Sequence, residues 1–489
     1  MTCLNECTTI IKLINFNQKD FVSYPIIRLV GLVESSHSRN CLINDDHLEL
    51  FLENKNLPDA NKTPIKLKQG KFKVFLELQE GCNEFVVHDA LQSLPITLEY
   101  RPVRSEFTVM PLYVICEGHD GFFQAPSNEK NNIDSACKRI QLCSKLLQCF
   151  TAEKLLENGL GRRTFFLEET CQIFRSNVNY QEARKMSQEE LWETIGRDIM
   201  NSELASPNRK YLAFLSCTNY KGDQYSEHLK SHEDLINITE AYVALGGGGL
   251  ALFGSACLYT WPEHFSEVIS RFEDKTLVDK TQFLDDSCYR GTLGACFSTT
   301  LGSVLHELYH TFNLGHTETG VMGRGFDNIS KFFTLEDQLE VTKSFQNPIE
   351  FREEFESDKL SERLSNEYKR KDFHVIKKFE ENDWTILTKS CAVILAYHKW
   401  FNNFSSSANF TLTFDASNNF IRSTAGIRVV EVRKQPDELI LNEWTFEGKV
   451  LKYSFRVPDE AFSEKLPIML FVEDNFGNIL KQSVKSLLE

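Results

Sequence analysis

His306, Glu307 and His310 stand in a His-Glu-x-x-His pattern, and His316 follows six residues after the second histidine. On a helix His306 and His310 lie at i and i+4, so both imidazoles leave one face and can reach a single cation, while Glu307 stands beside them without being a ligand. A catalytic zinc takes three protein ligands and keeps its fourth tetrahedral position for water. His316 can complete the set if the chain leaves the helix about two residues beyond His310 and turns back. That turn needs a residue at positive φ, and Asn313 is the best non-glycine candidate.

Zinc lowers the pKa of its water from about 15.7 toward roughly 7 and polarises a carbonyl as a Lewis acid. Glu307 is then the general base, taking the water proton and passing it to the leaving amine. Neutral imidazoles leave the double positive charge of the ion intact, so amide hydrolysis is the chemistry expected. A structural zinc site has no use for an acid beside its first ligand and tends to use four ligands, usually with cysteine. With 12 His in 489 residues, three at fixed spacing beside a Glu are rare by accident.

The pattern resembles the metzincin metallopeptidases, His-Glu-x-x-His-x-x-Gly-x-x-His followed by a methionine turn under the metal. His306, Glu307, His310 and His316 match it residue by residue, and Met322, in Gly320-Val321-Met322-Gly323, falls where the Met-turn would be. Asn313 replaces the family glycine, and asparagine tolerates the left-handed conformation that the glycine provides. Several metzincins carry a tyrosine two residues after that methionine. This chain has Arg324 there, a candidate transition-state stabiliser. Residues 306–327 are most similar to a family of zinc metallopeptidases of fungi and animals, over roughly 106–350. The resemblance implies one catalytic Zn2+, a peptide or protein substrate, and an extended peptide lying along an edge strand, for which residues 250–259 are the candidate.

The length suggests about three domains. A net charge of -15 and a pI near 5.4 argue against nucleic acid or an anionic membrane as the main partner. The first residues have no basic n-region and no continuous apolar h-region, and the 14 Cys show no paired spacing. A cytoplasmic protein with free thiols is the expectation. Residues 241–262 carry no charge and are long enough to span a bilayer, but the run Gly246-Gly247-Gly248-Gly249 and acidic flanks Glu240 and Glu263 favour a glycine loop followed by a strand.

The elements that must position the histidines form an α/β (α+β) metzincin-like catalytic domain, 105–345, flanked by an N-terminal β-sandwich, 1–104, and a C-terminal β-sandwich, 404–489, with a helical segment, 346–403, packing on the catalytic domain. Strands are expected at 26–33, 72–78 and 96–100, then at 107–116, 164–167 and 211–217, and finally at 410–414, 451–457 and 468–472. Helices are expected after a cap at Asp134, at 189–200, at 350–381 and at 384–400. Ile140, Cys143, Leu147 and Phe150 form one inward stripe, and Leu301, Leu305, Leu308 and Phe312 form the buried face of the histidine helix. His374 and His398 read as structural. His228 and His232 also stand at i and i+4, with no third ligand nearby in sequence. The β domains could bind protein partners, place the substrate or brace the catalytic domain. The rival readings are an inactive zinc-braced scaffold, recognisable by a fourth protein ligand, and hydrolysis of a non-peptide amide.

Overall fold

Residues 108–116 are apolar at almost every position, which is the pattern of a strand covered on both faces. They become the centre of a five-stranded sheet. A computed structural model of the chain describes residues 9–35, 48–56, 62–229, 231–335, 385–402, 410–462 and 467–484. The sheet runs Gln172–Asn179, Thr108–Glu117, Arg209–Leu215, Leu250–Gly254, Ala244–Gly247. The first four are parallel neighbours, and the last is an antiparallel edge.

Alternate side chains of these strands go to opposite layers. Tyr113, Ile115, Phe214 and Phe253 face a core shared with the helices Ile133–Glu157 and Leu293–Thr311. Leu112, Val114, Ala213 and Leu252 face Leu191, Ile195 and Ile199 of the helix Gln188–Met200 on the other side. Each fully buried aliphatic or aromatic side chain is worth about 1.5–3 kcal/mol, so the sheet is fixed from both sides. The stripe Ile140, Cys143, Leu147, Phe150 and the face Leu301, Leu305, Leu308, Phe312 are fully buried, as the spacing predicts.

Three expectations need adjustment. Residues 250–259 are not an edge strand: Leu250–Gly254 is internal, paired on both sides, and a 3-10 turn, Leu258–Thr260, follows it. The edge is Ala244–Gly247, because Gly248-Gly249 turn the chain into a tight hairpin. Asp134 is not the cap of its helix. Asn132, in extended conformation, accepts from Ser135 N, while Asp134 sits in the first turn and pairs with Lys138 at 2.7 Å. Residues 164–167 contribute only a bridge at Leu167, and the outer strand is Gln172–Asn179.

The glycine run has a packing reason. A Cβ on Gly246 would lie 1.9 Å from the Glu307 carbonyl oxygen, so the edge strand rests directly on the backbone of the histidine helix. That helix starts at a Thr292 cap, whose side chain accepts from Ala295 N.

The N-terminal strands form two sheets, of four and five strands. Their buried residues, among them Ile27, Leu29, Phe85 and Leu98, join the same core as the central helices. Arg28 bridges to Glu157 at 3.0 Å, and Glu153, almost fully buried, accepts from Asn15 at 2.9 Å and Arg162 at 2.6 Å. At the C-terminal end, Lys389–Tyr397 is a buried helix, and the 15-residue strand Phe420–Lys434 pairs with four others in one six-stranded sheet. The charged span 350–381, with His374, lies outside the described residues. His398 is buried, accepts from Trp400 N at 3.4 Å, and sets its ring 5.4 Å from that of Phe312 at the end of the histidine helix.

Gly246→Ala is expected to cost about 1–3 kcal/mol, read from urea denaturation. Gly247→Ala, which meets nothing within 4 Å, should change stability by no more than about 0.5 kcal/mol. Burial pushes the His398 pKa down from 6.5 to about 3, helped by the charges of Lys210 and Lys399. The unfolded chain therefore binds a proton that the folded one refuses, and stability present above pH 6.5 is lost as the pH falls toward 3. His398→Asn, which keeps an acceptor for Trp400 N, should lose a few kcal/mol less over that window, measured as the difference in Tm between pH 8 and pH 4.

Candidate metal centre

The histidine helix ends where the ligand spacing requires. Thr311 is its last residue, and Asn313 takes φ 66° and turns the chain back. Leu314 N then bonds to Tyr309 O at 3.2 Å, closing the helix end. Asparagine is tolerated in this left-handed position because its short polar side chain can bond locally.

The three rings meet. His310 Nε2 lies 3.1 Å from His306 Nε2 and 3.1 Å from His316 Nε2. On each ring the other nitrogen faces a backbone carbonyl: Val321 O for His306 at 2.8 Å, Leu314 O for His310 at 2.9 Å, and Asp437 O for His316. A carbonyl can only accept, so each Nδ1 carries the proton and each neutral ring turns a bare Nε2 lone pair to the common centre.

Three lone pairs at that spacing fit a cation. Zn–N bonds of about 2.0–2.1 Å at tetrahedral angles put ligand nitrogens roughly 3.3–3.4 Å apart. Burial, reinforced by His316, pushes the His306 pKa down to about 3, and burial with both neighbouring rings lowers that of His310. His306 and His310 are thus held in the neutral form that a metal needs. Among the described residues, His306, His310 and His316 are the group of His, Cys, Asp or Glu side chains placed to share an ion. Among the described residues no fourth such side chain joins them, and three protein ligands with a free fourth position is the ligand count of catalytic zinc sites in general.

Glu307 lies on the same turn against the edge strand. Burial pushes its pKa up to about 8, opposed by the Gly246 N–H that it faces. Met322 is buried, its carbonyl accepts from Thr317 N at 3.1 Å, and the residue before it supplies the carbonyl that holds His306. Arg324 is more than half exposed, 3.5 Å from Asp327 Oδ2 and 5.7 Å from the Phe326 ring, which itself lies 5.1 Å from His306. His232 is not part of this centre; its Nδ1 is 3.7 Å from Asp286. The spacing motif did not reveal the carbonyls of Leu314, Val321 and Asp437, since every residue type has one. Gly246 was marked by the glycine run, but its role at Glu307 depends on a packing contact between distant segments.

The chain is 27% identical over 299 residues to "Putative zinc metalloproteinase YIL108W" of Saccharomyces cerevisiae, covering 55% of this chain and 43% of that protein. It is 28% identical over 249 residues to "Putative zinc metalloproteinase C607.06c" of Schizosaccharomyces pombe, covering 46% and 38%. It thus spans about two-fifths of the length of these curated relatives. Among solved structures, the M60 catalytic domain of Clostridium perfringens ZmpC aligns over 98% of this chain and 95% of that chain at 10% identity with a TM-score of 0.12. Domains 4 and 5 of the S-layer protein SbsC align over 19% and 53% at 5% identity with a TM-score of 0.14. Scores this low establish no shared fold. A family model described as "Putative peptidase family" matches residues 10–377, more than half of the sequence, and the chain belongs to that family.

Proposed function

We propose that the chain is a zinc-dependent endopeptidase with a metzincin-like catalytic domain, 105–345, between two β-sandwich domains. It holds one zinc ion through His306, His310 and His316 and cleaves peptide or protein substrates with Glu307 as general base. The observation that carries this reading is the meeting of three Nε2 atoms, that of His310 lying 3.1 Å from each of the other two, beside the half-buried carboxylate of Glu307. Zinc bound there lowers the pKa of the attacking water and polarises the scissile carbonyl.

The protein's own groups do the rest. Glu307 takes the proton of the water and returns it to the leaving amine; burial has raised its proton affinity, and a cation held by the three histidines would draw it back toward the range where a base works at neutral pH. The edge strand Ala244–Gly247 has one side unpaired in the sheet and rests on the helix at Glu307, so an extended substrate adding to it would pass the base. Arg324, whose charge contributes to the lowered pKa of His306, is assigned to the charge that develops on the carbonyl oxygen.

A cytoplasmic location belongs to the same proposal, supported by the scattered thiols and the acidic charge. No helix among the described residues is long and apolar enough to cross a membrane. Nucleic acid and membrane surfaces are not assigned as partners, and the β domains are assigned to contacts with other proteins.

Glu307→Gln should keep its zinc and lower kcat by about 10²–10⁴-fold, read with a peptide library and metal analysis side by side. Full hydrolysis by that variant removes the mechanism. His316→Ala should weaken zinc retention by more than the ~10–100-fold that a lost outer partner costs; unchanged metal content after dialysis places the third ligand elsewhere. If Arg324→Ala cleaves at the wild-type rate, the arginine has no part in the transition state.

A further inference from the structure

Two of the three ligands are oriented from nearby in sequence, His310 by Leu314 O and His306 by Val321 O. His316 is different. Its Nδ1 donates to Asp437 O, its N–H donates to Glu438 O at 3.1 Å, and its carbonyl accepts from Ile440 N at 3.0 Å. Ring and backbone of the third ligand are both held by the turn between the strands Phe420–Lys434 and Leu439–Thr445.

Arg433, fully buried at the end of the first of these strands, ties the two segments together. Its Nη2 donates to Asn313 O at 2.8 Å, on the turn that carries His316, and its Nη1 donates to Glu438 Oε2 at 2.7 Å, on the hairpin tip. Its Nε donates to Glu431, also fully buried, at 2.7 Å. A buried ion pair is weak support for stability, since apolar residues of similar volume often serve as well. A rigid fork that reaches acceptors in two segments at once is a task for arginine. The seat is close: a Cβ on Gly315 would lie 2.6 Å from Glu438 O. Residues 433–440 also fall outside the 10–377 matched by the family model.

We propose that this hairpin is a working part of the metal centre, with the Asp437 carbonyl fixing the His316 ring and Arg433 acting as a positioning residue for the third ligand. The proposal rests on the zinc-site reading above. An outer partner of a metal ligand sets ring orientation and basicity, and its loss costs about 10–100-fold in metal affinity.

The test is a double-mutant cycle on the full chain, with zinc alone as ligand and its Kd read by competition with a chelator. Arg433→Met should weaken zinc binding by tenfold or more in the wild-type background and by less than twofold when His316→Ala is already present. Equal effects in the two backgrounds, or no effect, overturn the proposal and leave Arg433 a brace of its own sheet. Should Arg433→Met fail to fold by circular dichroism, Glu438→Gln, which keeps the shape but removes the carboxylate charge that faces Nη1, is expected to show the same coupling at about threefold; its absence there overturns the proposal equally. A wild-type chain that binds no zinc overturns the metal site itself, whereas tight wild-type binding without coupling overturns the hairpin alone.

Discussion

Everything at the centre depends on three Nδ1–H groups finding backbone carbonyls. Those hydrogen bonds choose the tautomer, and the tautomer aims three bare nitrogens at one point. Without them the same histidines would be ordinary polar residues, two on a helix and one on the turn beyond it. The carbonyls in turn stay in place only because their segments are packed: Leu314 and Val321 are buried, and Val321 N is tied to Ile386 O at 2.9 Å.

The sheet supplies the rigidity. Its strands are covered on both faces, so the helix that carries two ligands lies on a surface that cannot yield. At Gly246 one absent side chain lets the half-buried edge strand rest on the backbone of Glu307. The strand edge and the Glu307 backbone are thus placed by one contact, not by two independent elements.

Much of the site was legible because its signal is local. The spacing of His306, His310 and His316 and the special backbone tolerance of Asn313 can be read from eleven consecutive residues, and the stripes of the two long helices follow from a 3.6-residue period. What could not be read is non-local. The strand Phe420–Lys434 carries Arg428, Glu431 and Arg433 inside it, charges that look like a solvated face in sequence and are buried in the fold, Glu431 paired with Arg433 and Arg428 bonded to Asn475 and to the carbonyls of Phe446 and Gly448. Gln172–Asn179 was missed because exposed polar side chains alternate along it. The edge was misplaced by one strand because apolar content marks a buried strand and says nothing about how many neighbours it has. Asn132 and Asp134 compete for one cap, and local backbone geometry decided between them.

The hydrogen bond from His316 to Asp437 spans 121 residues. During synthesis at ~5–20 residues per second, His316 therefore goes without the carbonyl that orients it for roughly 6–25 s after it has been made. A nascent chain thus carries its three imidazoles unaimed until the hairpin that seats the third has emerged.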